Sequence, residues 1–145
     1  GDPDKANEEF RRELEISPTH VAARLQLAFE HLKRGEYAAG LPYAEEAVRL
    51  APRSFAAHNA LGRLLLELGQ AARAVGELEE AVRLAPDSPE TRYALARAYT
   101  RAGRQQEAAR ERAEFTRLDK LRRALRESTP LPQESAAKPE QQPPI

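Results

Sequence analysis

The chain has 145 residues, the size of one domain with its own core, and it contains no apolar run of about 18 residues, which predicts a soluble protein without a membrane span. Its 23 basic and 23 acidic residues balance, so no net charge would draw it to a nucleic acid or an anionic membrane, and neither is expected as a partner. It has no cysteine, which excludes disulfides and thiolate chemistry but leaves the compartment undecided.

The first predicted element is one helix within residues 1–20. Its apolar residues Ala6, Phe10 and Leu14 recur every four positions, as on one face of a helix, and Pro18 ends it. Because the helices that follow come in pairs, this segment is interpreted as the second helix of a truncated pair, a half repeat. We therefore expect that the helical array continues upstream of this chain or that the helix is an atypical N-terminal cap.

An internal repeat begins at Pro18. This proline, Pro52 and Pro86 are separated by 34 residues each, and nearly identical stretches, AEEAVRLAP and LEEAVRLAP, end at the second and third of them. Glycines recur at the same step, at Gly35, Gly69 and Gly103. A period that runs through the chain is far more specific than a short motif and predicts stacked copies of one structural unit.

Each unit is predicted to form two antiparallel helices, because apolar residues recur at steps of three and four and a Gly or Pro separates the halves. The predicted helices lie near residues 19–34, 37–50, 54–68, 71–84, 88–102 and 105–126. Asp87 followed by Glu90 has the form of a capping box, which predicts an N-cap at Asp87. Pro42 lacks the amide that a helix interior needs, which predicts a bend or a late start there.

The last unit and the C-terminus differ from the earlier pattern. Leu118, Leu121 and Leu125 continue the helical spacing where the earlier units have a proline, which predicts an overlong final helix that caps the stack. The units are therefore a half repeat at residues 1–20 and full repeats at 21–54, 55–88 and 89–127. Residues 128–145 are rich in proline and poor in large apolar side chains, which predicts a flexible tail.

These features resemble the tetratricopeptide repeat family. Small and large apolar residues fall at the motif positions, and residues 55–88 fit best, with Leu61, Gly62, Ala74 and Pro86 in register. The resemblance implies an all-α fold, a right-handed α-solenoid of antiparallel helix pairs with about seven helices. It also implies a concave groove lined by the first helix of each pair, on the side that faces away from the second helix.

The groove positions of this sequence are apolar at one end and rich in Arg and Tyr at the other. They are Leu25, Phe29, Leu32, Asn59, Arg63, Leu66, Tyr93, Arg97 and Arg101. Arginine pairs with carboxylates through a planar fork, and aromatic side chains offer contact area at little entropic cost. The alternative interpretation is that the arginines are only solvated and that the apolar residues pack within the solenoid.

Other known activities find little support. Some family members hold a chaperone C-terminus with a carboxylate clamp, but the clamp positions here are Leu25, Phe29, Ala60, Glu90 and Ala94, none of which matches. His31 and His58 fall at core-lining positions, and no HExxH or similar metal pattern is present. We therefore predict no enzyme activity, no cofactor and no metal site.

The leading hypothesis is a protein-interaction scaffold whose groove binds a peptide or helix with some apolar and some acidic character. A second hypothesis is self-assembly, through an open end of the array or through the Pro-rich tail placed in the groove of another copy. A third, RNA binding through the groove arginines, is disfavoured by the zero net charge.

Overall fold

A computed structural model describes residues 2–16 and 20–129. This part of the chain forms seven α-helices and no strand, which confirms the predicted all-α solenoid. The helices are α1 Pro3–Ile16, α2 Val21–Lys33, α3 Tyr37–Leu50, α4 Phe55–Glu67, α5 Ala71–Leu84, α6 Pro89–Arg101 and α7 Gln105–Ser128. Most of the tail predicted for residues 128–145 lies outside the described residues, as does Pro18.

Helix starts in the second and third repeats are fixed by serine caps. The Ser54 Oγ accepts a hydrogen bond from the amide of Ala57 at 3.2 Å, at the start of α4. At α6 the cap is Ser88, whose Oγ accepts from the amide of Thr91. The prediction of an Asp87 cap was therefore wrong by one residue, because a serine at the next position provides the cap.

The ends of the first helices use glycine. Gly35, Gly69 and Gly103 have φ angles of 75°, 79° and 78°, in the left-handed region that side chains rarely adopt. At each glycine the chain turns from the first helix of a pair into the second. Three nearly identical turns thus give three helix pairs of the same geometry.

Each described helix packs against its neighbours in sequence, and the first helices also contact each other, α2 with α4 and α4 with α6. The core lies between the helices and consists mainly of alanine and leucine. Gly62 marks the tightest approach, since a Cβ there would lie 2.5 Å from Cγ of Leu78 on α5. Small residues therefore let α4 and α5 pack closely.

Two helices test specific expectations. Pro42 lies inside α3, which begins at Tyr37, so the alternative of a late start was wrong: the helix already begins five residues before the proline. Helix α7 continues to Ser128, past the point where α3 and α5 end, as the leucine spacing predicts. Leu121 and Leu125 on its last turns are 50% and 60% exposed.

No helix among the described residues is long and apolar enough to cross a membrane.

Candidate peptide-binding groove

The first helices α2, α4 and α6 lie side by side and form one wall of an open cavity of about 660 Å³. That volume lies within the range of about 300–1,000 Å³ usual for ligand pockets. The cavity is lined by Phe29, Leu32, Lys33, Tyr37, Arg63, Leu66, Glu67, Glu90, Tyr93, Ala94, Arg97 and Phe115. Side chains from five helices, α2, α3, α4, α6 and α7, thus converge on one surface, called the groove below.

The structure brings together most of the residues that the sequence placed in the groove. Six of them line it: Phe29, Leu32, Arg63, Leu66, Tyr93 and Arg97. Arg101 lines an adjoining cavity of about 350 Å³ that shares Tyr93 and Arg97 with the first. Leu25 lines neither cavity and packs against the core. Asn59 also lines neither, and its Oδ1 accepts a hydrogen bond from Thr91 at 3.3 Å.

The floor of the groove is apolar and aromatic. Leu66 is buried, while Phe29 and Leu32 are half-buried and pack against the core. Tyr93 is 52% exposed, and its ring lies 5.5 Å from that of Phe115 with a tilt of 51°. A tyrosine held by a neighbouring ring yet half open to solvent is a contact surface that needs little ordering when a ligand binds.

The arginines at the α6 end already have protein partners. Arg97 Nη1 donates to Oε1 of Glu67 at 3.0 Å, and Arg101 Nη1 donates to the backbone carbonyl of Leu66 at 3.0 Å. Glu90 accepts from Arg122 at 2.6 Å, and this hydrogen bond lowers the pKa of its carboxyl group. The two carboxylates that line the groove, those of Glu67 and Glu90, are therefore both paired with arginines of this chain.

Two other cations of the groove differ from these arginines. Neither Lys33 nor Arg63 forms a hydrogen bond or an ion pair with any residue in the described part of the chain, and both side chains are exposed. An exposed cation beside an apolar floor can bind an anionic group of a ligand without first breaking an internal contact.

Several lining residues were not predicted from the sequence. Tyr37 and Phe115 belong to second helices, whereas the prediction considered only first helices. Phe115 did carry a signal, because Ala47 and Ala81 occupy its place in the two preceding repeats. A phenylalanine ring extends further from its helix than the methyl group of an alanine at the same repeat position. Here the ring of Phe115 extends into the groove. Lys33, the last residue of α2, was not predicted to line the groove either.

The two core histidines have structural contacts. The Nδ1 of His58 lies 2.7 Å from Glu77 Oε2, and its Nε2 lies 2.7 Å from the carbonyl oxygen of Pro52. His31 stacks on Tyr43 with ring centroids 5.8 Å apart. Within residues 2–16 and 20–129, no group of three His, Cys, Asp or Glu side chains is arranged to hold a metal ion.

The repeat architecture is matched by a known family. The family model described as tetratricopeptide repeat matches residues 25–89 and 60–114, which together cover more than half of the chain. The chain belongs to the tetratricopeptide repeat family. Members of this family are typically non-catalytic scaffolds that bind other proteins, and protein interaction is the general role of this chain. A search of curated proteins finds no match.

Solved structures with a similar tetratricopeptide array include several of MamA. A structure of MamA residues 41 to the end from Desulfovibrio magneticus RS-1 is 27% identical, with a TM-score of 0.71, over 86% of this chain and 68% of that one. MamA AMB-1 is 25% identical, with a TM-score of 0.72, over 81% and 69%. MamA MSR-1 is 22% identical, with a TM-score of 0.72, over 84% and 70%, a likeness that shows the fold alone.

Proposed function

We propose that the groove binds a segment of a partner protein and that the chain acts as an adaptor without catalytic activity. The observation that carries this proposal is the half-exposed Tyr93, which packs against Phe115 and lines the same cavity as the apolar side chains of Phe29 and Leu32. Exposed apolar surface with a polar rim is typical of sites that bind another protein. No reaction is assigned, because His31 and His58 make packing and hydrogen-bonding contacts.

The test is selection of short peptides from a displayed random library on the purified chain, followed by affinity measurements with single variants. Tyr93→Ala should weaken the selected peptides by roughly tenfold or more, because a central aromatic anchor is lost. Leu125→Ala is the control, since Leu125 is similarly exposed, at 60% against 52% for Tyr93, but lies on α7 outside the groove. If both substitutions had the same effect, the groove would not be the binding site.

Self-assembly is a second candidate. Leu121 and Leu125 are exposed and, with Leu118 and Pro89, line a cavity of about 330 Å³ beside the start of α6. An apolar pair at an open end of a repeat array can pack against another copy. Light scattering would test this: a dimer mass that falls to the monomer mass in Leu121→Glu/Leu125→Glu supports it, and a monomer at all concentrations removes it.

A further inference from the structure

The 34-residue period places the groove charges in matched rows. Arg63 of the second repeat and Arg97 of the third occupy the same repeat position. Lys33 of the first repeat and Glu67 of the second share another repeat position. Lys33 is the last residue of α2, and Glu67 is the last residue of α4. The pair Arg97 and Glu67 therefore has a counterpart one repeat upstream, namely Arg63 and Lys33.

The two counterparts differ in one respect that matters. Between repeats two and three, Arg97 meets a carboxylate and forms a 3.0 Å ion pair with it. Between repeats one and two, the residue that takes the place of this carboxylate is Lys33, a second cation. The same repeat geometry thus gives an internal ion pair at one joint and two like charges without a carboxylate at the other.

We propose that the partner segment supplies the missing carboxylate: an aspartate or glutamate that binds Arg63 and Lys33, next to a bulky apolar residue seated against Phe29 and Leu32. This rests on the proposed function of the groove. The internal Glu67–Arg97 pair is the template for the contact, because the arginine at the same repeat position already binds a carboxylate. The apolar neighbours line the same cavity as the two cations.

The chemistry of the site favours a carboxylate over a nucleic acid. A nucleic-acid backbone needs a row of available cations, whereas Arg97 and Arg101 are already bonded to Glu67 and to the carbonyl of Leu66. Two available cations that line one cavity suit one anionic group with two oxygens, as an arginine suits a carboxylate in a bidentate pair. The groove therefore favours a partner segment with an acidic residue next to a bulky apolar residue.

Three variants of the full chain test the proposal. Lys33→Glu should form an internal ion pair with Arg63, as Glu67 does with Arg97. The variant would thus occupy the donors that an outside carboxylate needs, without leaving a charge unpaired. Glu67→Lys should do the opposite and create a second carboxylate site at Arg97. Arg53→Glu matches the first variant in charge change, and Arg53 is an exposed residue that lines none of the described cavities.

Each variant is used for selection from the same displayed library of short random peptides. The wild-type chain and Arg53→Glu should enrich peptides with Asp or Glu beside a large apolar residue. Lys33→Glu should keep the apolar preference and lose the acidic one, with roughly tenfold weaker binding of the acidic wild-type peptides. Glu67→Lys should enrich peptides with additional acidic residues. Circular dichroism would check that every variant remains helical.

Other results would overturn the proposal in distinguishable ways. Wild-type peptides that are apolar and uncharged would reject the carboxylate site but leave the groove function standing. No enriched peptide at all would reject both. Binding of single-stranded oligouridylate that Lys33→Glu abolishes, together with no peptide enrichment, would replace the partner protein by an RNA.

Discussion

The second and third helix pairs have the same architecture but are held together differently. In α4 more than half of the residues are buried, among them Leu64, Leu65 and Leu66. Helix α7, with 24 residues, buries only Ala108 and Leu118. The pair α4 and α5 is thus stabilised by close apolar packing, whereas α7 buries fewer apolar side chains and also forms polar contacts with α6.

Polar contacts between α6 and α7 accompany this smaller apolar burial. Arg92 pairs with Glu111 at 3.1 Å, and each side chain is only 16% exposed. The guanidinium of Arg104 lies 4.8 Å from the ring centre of Tyr99. The third helix pair therefore combines less apolar burial in its second helix with an ion pair and a cation–π contact.

Deletion of apolar volume in the second pair should have the largest effect. Leu65→Ala removes a fully buried side chain from α4 and should lower the free energy of unfolding by about 3 kcal/mol, from lost transfer energy and the cavity left behind. Leu125→Ala on α7 should change it by less than about 0.5 kcal/mol, because that leucine is 60% exposed. Urea denaturation measures both; similar losses would contradict the comparison.

The same substitution at two glycines should have opposite signs. Gly62→Ala would place its Cβ 2.5 Å from Leu78 and should destabilise by about 2 kcal/mol through overpacking. Gly76→Ala in α5 meets nothing within 4 Å and should stabilise by about 0.5–1 kcal/mol, because alanine costs less entropy in a helix. Thermal or urea unfolding tests the pair, and destabilisation by both would show that space is not the deciding factor.

Loss of the Arg92–Glu111 ion pair between α6 and α7 should have the next largest effect on the free energy of unfolding. Arg92→Ala should lower the free energy of unfolding by about 1.5 kcal/mol, because the mostly buried carboxylate of Glu111 is then left without its partner. The double variant Arg92→Ala/Glu111→Ala should recover part of the loss, since no charge remains unpaired. A double-mutant cycle measures the coupling. A coupling of zero would mean that α7 is held by other contacts.

The smallest effect concerns pH. The hydrogen bond from Arg122 lowers the pKa of Glu90, so the folded pKa lies below the unfolded value of about 4.3. The stabilising contribution is therefore complete above the unfolded pKa and is lost as the pH falls through the folded one. An NMR titration of the Glu90 carboxyl should give a midpoint below the ordinary value. Arg122→Gln should restore it; an ordinary midpoint in the wild-type chain would contradict the contact.

The helices were predictable because glycine, proline and apolar spacing act locally. The predicted bounds of α3 and α5 coincide with the structure, and the recurring glycines lie at the left-handed turns between helices. The solenoid fold follows from the same period. The N-cap at Ser88 was missed because two neighbouring residues both have suitable side chains, and only the backbone decides between them.

The groove could be predicted only in part. Its lining depends on first-helix positions, which the period gives, and most of the expected residues are there. The ion pair of Glu67 with Arg97 joins residues 30 apart in sequence, and such a contact depends on how one repeat is rotated against the next. Periodicity does not contain that rotation. Which cation is available to a ligand therefore required the structure.

The contacts of the first and last described helices have a mechanical consequence. Among the described helices, α1 touches α2 alone, and α7 touches α6 alone. A terminal helix can therefore separate while the middle stays intact, and a pull on the chain would peel the array one helix at a time instead of breaking it at once. A ligand that bridges Lys33 and Arg63 would clamp two successive units together, and the peeling would stop at that joint.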